Sequence, residues 1–407
     1  MVDYKTTALD PTTIKNILTL RYNPTGKSPL PKLSWKNFTE KKYDKPQETV
    51  ENLIQSNIHS MVKNPKQRVS VALSSGVDST LVLLMLRKAH PQIPVTALSV
   101  KFADSIDESK HAARIADRFD ADHRIVHVDN YLEELPKAIS IIKLPFWDLH
   151  WYYLVKAAKK SSRFLVSGDG GDELFGGYTF RYEKFLSQVN HNSSPLTKTK
   201  AYLNCHERDW VPDQEKLFGK KARFCWDQIY RILLPYFGNK LDPLSQVFLA
   251  DFNGKLLYNW MPLNSKFHRY FGVKSITPIL SSRLISYATH IPVDLKYDRT
   301  SRIGKLLLWK ILQKYSADKL LIKRKQGFSA DTANLWNSYG YKLCSYYLDD
   351  ARVVKDGWIN QEWLQKHFRK KNLDVRYVNK FLGILALEIW YRMFYTRELK
   401  HTEKMVI

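Results

Sequence analysis

Cysteine is scarce in this chain: three in 407 residues, Cys205, Cys225 and Cys344, far apart and with no C-x-x-C pair. That spacing suggests neither a structural zinc site nor a disulfide framework. Long apolar runs are missing as well. The longest, LVLLML at 81–86 and FLGILAL at 381–387, are far too short to cross a bilayer, and no charged-then-apolar leader opens the sequence. The expectation is a soluble, cytoplasmic protein with no membrane partner. No G-x-x-x-x-G-K-S/T loop occurs, and neither an RNP1 sequence nor zinc-knuckle cysteines are present. Negative charge is in deficit, with 40 Asp and Glu against 64 Lys and Arg, a formal net charge of +24. Such a field attracts polyanions and holds ATP-like anions near basic clefts. Basic residues recur at 196–224, 319–325 and 366–371, which fits either a nucleic-acid partner or a lysine-rich solvated surface.

What is present is enough for a large core, 44% hydrophobic and 13% aromatic. Residues 70–80 read SVALSSGVDST: a short apolar run, a crease of small residues closed by Asp78, then an apolar helical segment. Small residues let backbone N–H groups approach an anion, and a helix N-terminus favours negative charge there, so the crease reads as a phosphate cradle. Around it, strands are expected at 69–74, 95–100, 124–128 and 163–167, separated by helices at 79–90, 107–119, 131–141 and 150–160. This alternation predicts an α/β fold with a parallel sheet covered on both faces and ligands at the C-terminal ends of the strands. A helix at 47–62 precedes the first strand. Residues 1–46 read as an irregular arm with a short β element at Ile17–Tyr22, residues 47–185 as the α/β core, and 186–407 as a mainly helical C-terminal part. Its last clear helix lies near 376–396, with Phe381, Leu385 and Ile389 on one stripe.

A second loop, SGDGGDELFGGY at 167–178, leaves a strand end like the first and holds Asp169, Asp172 and Glu173 among five glycines. Glycines permit tight turns, and carboxylates there are suited to holding Mg²⁺ against a polyphosphate. Taken alone, such a loop is more often a turn or helix-cap cluster. With both loops in one α/β pattern, the chain resembles the synthetase domain of the asparagine synthetases and their relatives among the N-type ATP pyrophosphatases, a PP-loop, Rossmann-like fold. Four ordered motifs carry the resemblance: Ser74-Ser75-Gly76-Val77-Asp78-Ser79 against S-G-G-L/V-D-S, Ser167 to Tyr178, Lys325-Gln326-Gly327-Phe328 with Gly304-Lys305 ahead of it, and Leu387-Glu388-Ile389-Trp390.

The resemblance implies that ATP is split between its α and β phosphates, and that a carboxylate becomes an acyl-adenylate which ammonia or an amine attacks. Leu73 and the stretch Ser74, Ser75, Gly76, Val77, Asp78 and Ser79 would cradle the nucleotide's phosphates. Asp78 and Asp172 would bind Mg²⁺, and Lys305 and Lys325 would face the β and γ phosphates. Ser99, Val100, Ser167 and Gly168 match places that hold adenine and ribose. Asp169 stands where many asparagine synthetases have a glutamate near the nucleophile, as a base for the attacking nitrogen.

The pattern also breaks. Family chains begin with a glutaminase domain whose nucleophile is the cysteine after the initiator methionine; here that residue is Val2, and 46 residues are too few for the domain. Free ammonia, a separate ammonia-supplying protein or another amine is the expected nitrogen source. In the 260–281 stretch, Ile276 replaces an arginine and Ser281 an aspartate, and E-P-F-x-D becomes Leu144-Pro145-Phe146-Trp147-Asp148. The substrate side thus departs more than the ATP side. Three readings follow: an amide-forming ligase acting on aspartate or on a carboxylate carried by RNA, such as a carboxymethylated tRNA base; a PP-loop enzyme that adenylates a tRNA base; and an inactive ATP-binding scaffold. Retention of Asp78, Asp172 and Lys325 favours the first over the last.

Overall fold

The computed structural model describes residues 10–64, 66–103, 107–321, 331–368 and 373–406. The N-terminal arm opens with helix α1 (Pro11–Leu20), where a β element was expected at Ile17–Tyr22. The reason is local. Asp10 caps the helix by accepting from Thr12 N at 3.0 Å and Thr13 N at 3.2 Å, and Pro11 sits in the first turn, where its missing N–H costs nothing. Ile14 and Leu18 then lie on one face and join the apolar layer that includes the terminal helix, Val375–Phe394. The first part of the arm is therefore helical and built into the core rather than irregular.

Five strands form a wholly parallel sheet: β1 (Val69–Ala72), β2 (Val95–Phe102), β3 (Asp122–Val128), β4 (Phe164–Val166) and β5 (Lys274–Ile276), in the order β3-β2-β1-β4-β5. Alternate residues feed opposite faces, as strand geometry requires. Val69, Val71, Ala97 and Val166 pack into one layer, and Ala72, Leu98 and Leu165 into the other. The first layer is closed by helices α2 (Pro46–Met61) and α3 (Val77–Ala89), through residues such as Ile54 and Leu83. Beyond α4 (Ser109–Arg118), the second is closed by α5 (Leu135–Ile142) and α6 (His150–Ser161), together with the terminal helix. Edge strand β3 is half exposed and carries Asp122, His123, Arg124 and His127, polar side chains that discourage pairing with another chain.

The strand order reverses between β1 and β4. A crevice outside the carboxyl ends of such a pair is where open α/β sheets bind ligands. β4 runs into α7 (Gly171–Phe175), and after the helical segments a hairpin, β6 (Tyr297–Asp298) and β7 (Ile303–Gly304), delivers Lys305 to the same edge. β5 lies in the divergent 260–281 stretch, where the sequence pattern predicts no strand: Ile276 ends the strand and Pro278–Leu280 forms a 3₁₀ turn. Among the described residues no helix is long and apolar enough to cross a membrane.

Candidate active site

The first loop is tied together by its own hydroxyls. Ser79 Oγ donates to the carbonyls of Ser74 (3.0 Å) and Gly76 (3.2 Å), while Ser74 N donates to Ser79 Oγ at 3.2 Å. Ser99 Oγ donates to Leu73 O at 2.8 Å and lies 2.9 Å from His123 Nε2, pinning the loop's origin to β2. Val100 follows as a ladder residue opposite Val126. Ser75, the residue in place of a glycine, is fully buried and its Oγ donates to Glu108 Oε2 at 2.6 Å. The extra hydroxyl thus anchors the loop to the residue that caps α4, a link that sequence alone did not reveal.

Asp78 in the first turn of α3 and Asp172 in α7 converge on one ammonium. Lys305 Nζ lies 2.5 Å from Asp78 Oδ2 and 2.6 Å from Asp172 Oδ1. Burial by itself would lower the lysine's pKa, but the two carboxylates outweigh it and hold the ammonium protonated, with its pKa raised. Lys305 adopts a left-handed backbone (φ 58°), and its N–H donates to Phe175 O at 2.9 Å, which fixes where the side chain starts. The loop glycines are spatially required. A Cβ on Gly177 would stand 1.8 Å from Asp172 Oδ1 and 2.4 Å from Lys305 Cε, and one on Gly171 would stand 2.3 Å from Asp78 Oδ1.

Two carboxylates from different loops already share a cation. Mg²⁺ commonly uses one or two carboxylates and fills the rest of its shell with water and substrate phosphate, so the pair fits that ion. No group of three or more ligating His, Cys, Asp or Glu side chains occurs among the described residues. Lys325 lies outside them.

Asp169 sits a turn before α7. Ser167 Oγ donates to its Oδ2 at 3.0 Å, and Asn264 Nδ2 approaches the same oxygen at 3.4 Å. Burial pushes its pKa up to about 6, against the opposing pull of the Ser167 hydrogen bond and of His150, which brings a base into the range where it works near neutral pH. Gly168 packs against Asp78, whose Cβ would be 2.7 Å from a Cβ there. The next carboxylate, Glu173, is buried, accepts from Tyr178 OH at 2.6 Å, and has a raised pKa because burial and Asp172 both disfavour its charge. The structure therefore brings Ser74 to Ser79, Ser167 to Asp172 and Lys305 together at one sheet edge. It also adds Asn264 and His150, which the sequence reading did not single out. Of the departures, Ile276 is core at the end of β5, and Ser281 caps the helix Ser282–Ala288 through Leu284 N at 3.2 Å.

Two acid-bearing loops closed by a lysine at the switch point of a parallel sheet define an α/β nucleotide-site architecture. The family model for asparagine synthase matches residues 50–392, and the chain belongs to that family. It is 25% identical over 396 residues to asparagine synthetase (glutamine-hydrolyzing) 1 of Bacillus subtilis, covering 86% of this chain and 60% of that protein. A putative asparagine synthetase (glutamine-hydrolyzing) of Mycobacterium tuberculosis H37Rv is 22% identical over 304 residues, covering 66% of this chain and 46% of that protein. The chain thus spans about half to three-fifths of the length of these relatives. Among solved structures, a U34-tRNA thiolase of Methanococcus maripaludis aligns over 75% of this chain and 99% of its own at 16% identity, with a TM-score of 0.26, too loose to carry an argument.

Proposed function

We propose that this protein is an ATP-dependent carbon–nitrogen ligase that activates a carboxylate as an acyl-adenylate, releasing pyrophosphate, and passes the acyl group to ammonia or an amine, releasing AMP. The observation that carries the reading is the Lys305 ammonium between Asp78 and Asp172 at the mouth of a hydroxyl-locked loop. Amides of residues 74–79 and the N-terminus of α3 suit the phosphates. Asp78 and Asp172 would hold Mg²⁺, which when bound supplies positive charge against the polyphosphate. Lys305 stabilises charge on the departing pyrophosphate, with Lys325 assigned the same role from its motif. Ser99, Val100, Ser167 and Gly168 line the nucleoside side. Asp169, ionised above pH of about 6, removes the proton that the attacking nitrogen must lose.

The acyl substrate is aspartate or a carboxylate carried on RNA; the net charge of +24 supports the RNA version. The test is pyrophosphate release from ATP, Mg²⁺ and ammonium with aspartate or with bulk tRNA, alongside Asp78→Ala and Asp172→Ala. Release that both substitutions abolish is expected. ATP binding with no turnover on any carboxylate would make the chain a scaffold, and tRNA binding indifferent to salt would remove the RNA version.

A further inference from the structure

Apart from the two acid-bearing loops, a groove of about 600 Å³ opens between the arm residues ahead of α2 and the helix Ser282–Ala288. Its lining includes Lys41 and Tyr43 from the arm, and Arg283, Ser286, Tyr287 and His290 from the helix and the turn after it. Helical spacing puts Arg283 and Tyr287 one turn apart on the same side, with Ser282 and Ser286 beside them. Among the described residues no carboxylate lines it. The arm wall is held in place by the turn opposite. Lys41 N donates to His290 O at 2.9 Å, His290 Nδ1 lies 2.6 Å from Thr39 O, and Val293 N donates to Glu40 Oε1 at 2.8 Å. Tyr43 packs on Tyr287 with ring centroids 4.2 Å apart and planes tilted by 40°.

The positive charge of the groove is not spent on neighbouring acids. Lys41 and Arg283 are both exposed, and neither is ion-paired with a described residue. The acids of the arm are engaged elsewhere: Glu40 accepts from Val293 N, and Glu48 lies 3.8 Å from Lys45. Asp44, the remaining acid of segment 40–49, does not line the groove. A ligand suited to this surface carries a flat ring and negative charge in one unit, which is the make-up of a nucleotide. Because the cations are exposed, no single phosphate is enclosed. A strand that lays several phosphates along the groove gains from each of them and from the chain's net charge of +24. Stacking on aromatic rings and salt-dependent phosphate contacts are the means by which single strands are held. The hydroxyls of Ser282 and Ser286 suit the 2′-hydroxyl that marks RNA.

We propose that this groove docks single-stranded RNA, with a base against Tyr43 and Tyr287 and phosphates on Lys41 and Arg283. The proposal deepens the RNA version of the ligase reading and rests on it for its purpose. The groove is rooted at the second loop. Leu280, two residues before Ser282, fills the space beside Gly170: a Cβ on that glycine would stand 2.2 Å from Leu280 Cδ2. Asn57 of α2 donates to Pro278 O at 3.0 Å and also bonds Ser281 Oγ, which ties the α2 wall to the same turn. The helix along the groove has seven residues, a length of about 10 Å. A strand seated on it is therefore one short helix away from the loop that carries Asp169.

The test is binding of fluorescently labelled oligouridylate to the full chain by anisotropy, without ATP. Arg283→Glu and Lys41→Glu should each weaken binding by about 10-fold or more at low salt, and lower the slope of log affinity against log salt by about 1. Tyr287→Ala should weaken binding by roughly 10-fold with the slope unchanged, since stacking releases no counterion. Lys310→Glu, the same charge change at an exposed position outside the groove, should alter binding by less than about 3-fold. Ultraviolet crosslinks from the bound strand should map to Tyr43 or Tyr287. Groove variants that bind as the wild type does, a loss as large in Lys310→Glu, or crosslinks confined to other peptides would overturn the proposal. Equal affinity for the matching deoxyoligonucleotide, or binding of free UMP but not of the strand, would also overturn it. If Tyr287→Ala does not fold, Arg283→Glu, at an exposed position, decides. Pyrophosphate release with aspartate and no RNA binding would sink the groove and leave the ligase reading standing; RNA held in the groove with no release on any carboxylate would do the reverse.

Discussion

Replacing Lys305 by alanine tests the core of the site before any substrate is known. The ammonium touches two carboxylates at 2.5 and 2.6 Å, and the three side chains are 13%, 15% and 39% exposed for Lys305, Asp78 and Asp172. At an effective dielectric of 20 each contact has a gross attraction of about 6 kcal/mol, most of it offset by desolvation. Breaking a buried pair by removing one partner costs about 3–5 kcal/mol, because a charge is left behind uncompensated. Water at the more exposed Asp172 relieves part of this, so about 2–4 kcal/mol is expected. A chain of 407 residues has an unfolding entropy of about 0.9 kcal/mol/K, so Tm in metal-free buffer should fall by about 2–5 °C. Mg²⁺ should then raise the variant's Tm by more than it raises the wild type's, since in the wild type the lysine competes for the same two carboxylates. Thermal scans with chelator and with graded Mg²⁺ measure both effects. An unchanged Tm without metal, or an equal Mg²⁺ response in both proteins, would refute the idea that Lys305 is the resident counter-charge of an acidic metal site.

Asp169→Asn should abolish amide formation, and the wild-type kcat/KM should rise as pH passes about 6, where the carboxyl loses its proton; a flat profile from pH 5 to 8 would exclude it as the base. Because that carboxyl holds its proton more tightly folded than unfolded, the asparagine variant should gain stability over the wild type as pH rises from about 4 through 6, read by denaturant titration. Gly177→Ala puts a methyl group 1.8 Å from Asp172 Oδ1, and should cut pyrophosphate release about 100-fold through displaced charges while the far-ultraviolet circular dichroism stays native. Lys296 is 1% exposed beside the Phe248 ring, and burial lowers its pKa to about 7, against weaker opposition from Glu40 and Asp242. Lys296→Met should therefore stabilise the protein, by on the order of 4 kcal/mol below pH 7, with the gain fading as pH rises toward 10 and the unfolded lysine loses its proton. Chemical denaturation at pH 6 and 10 reads this, and a constant difference between the two would exclude it.

The sequence by itself determined the parallel α/β core and the two loops, because short apolar runs alternating with helical spacing, and small-residue creases, are local signals. Strands 95–100 and 163–167 and the glycine-acid loop were legible for that reason. A helix takes the place of the β element expected at Ile17–Tyr22 because a start signal, Asp10-Pro11, stands ahead of Ile14, Ile17 and Leu18 at helical spacing. Strand β5 was missed because three residues carry too little pattern to stand out; pairing of Lys274–Ile276 with β4 makes them a strand. Tertiary structure alone decided which charges meet. Lys305 is 227 residues from Asp78, and Asn264 is 95 from Asp169. Nothing in local spacing encodes those distances. They come from the strand order, which reverses at β1 and β4, and from a hairpin that returns Lys305 to that edge in a left-handed backbone conformation. The same holds for His150, at the start of the helix expected at 150–160, which packing alone sets beside Asp148 and Trp260.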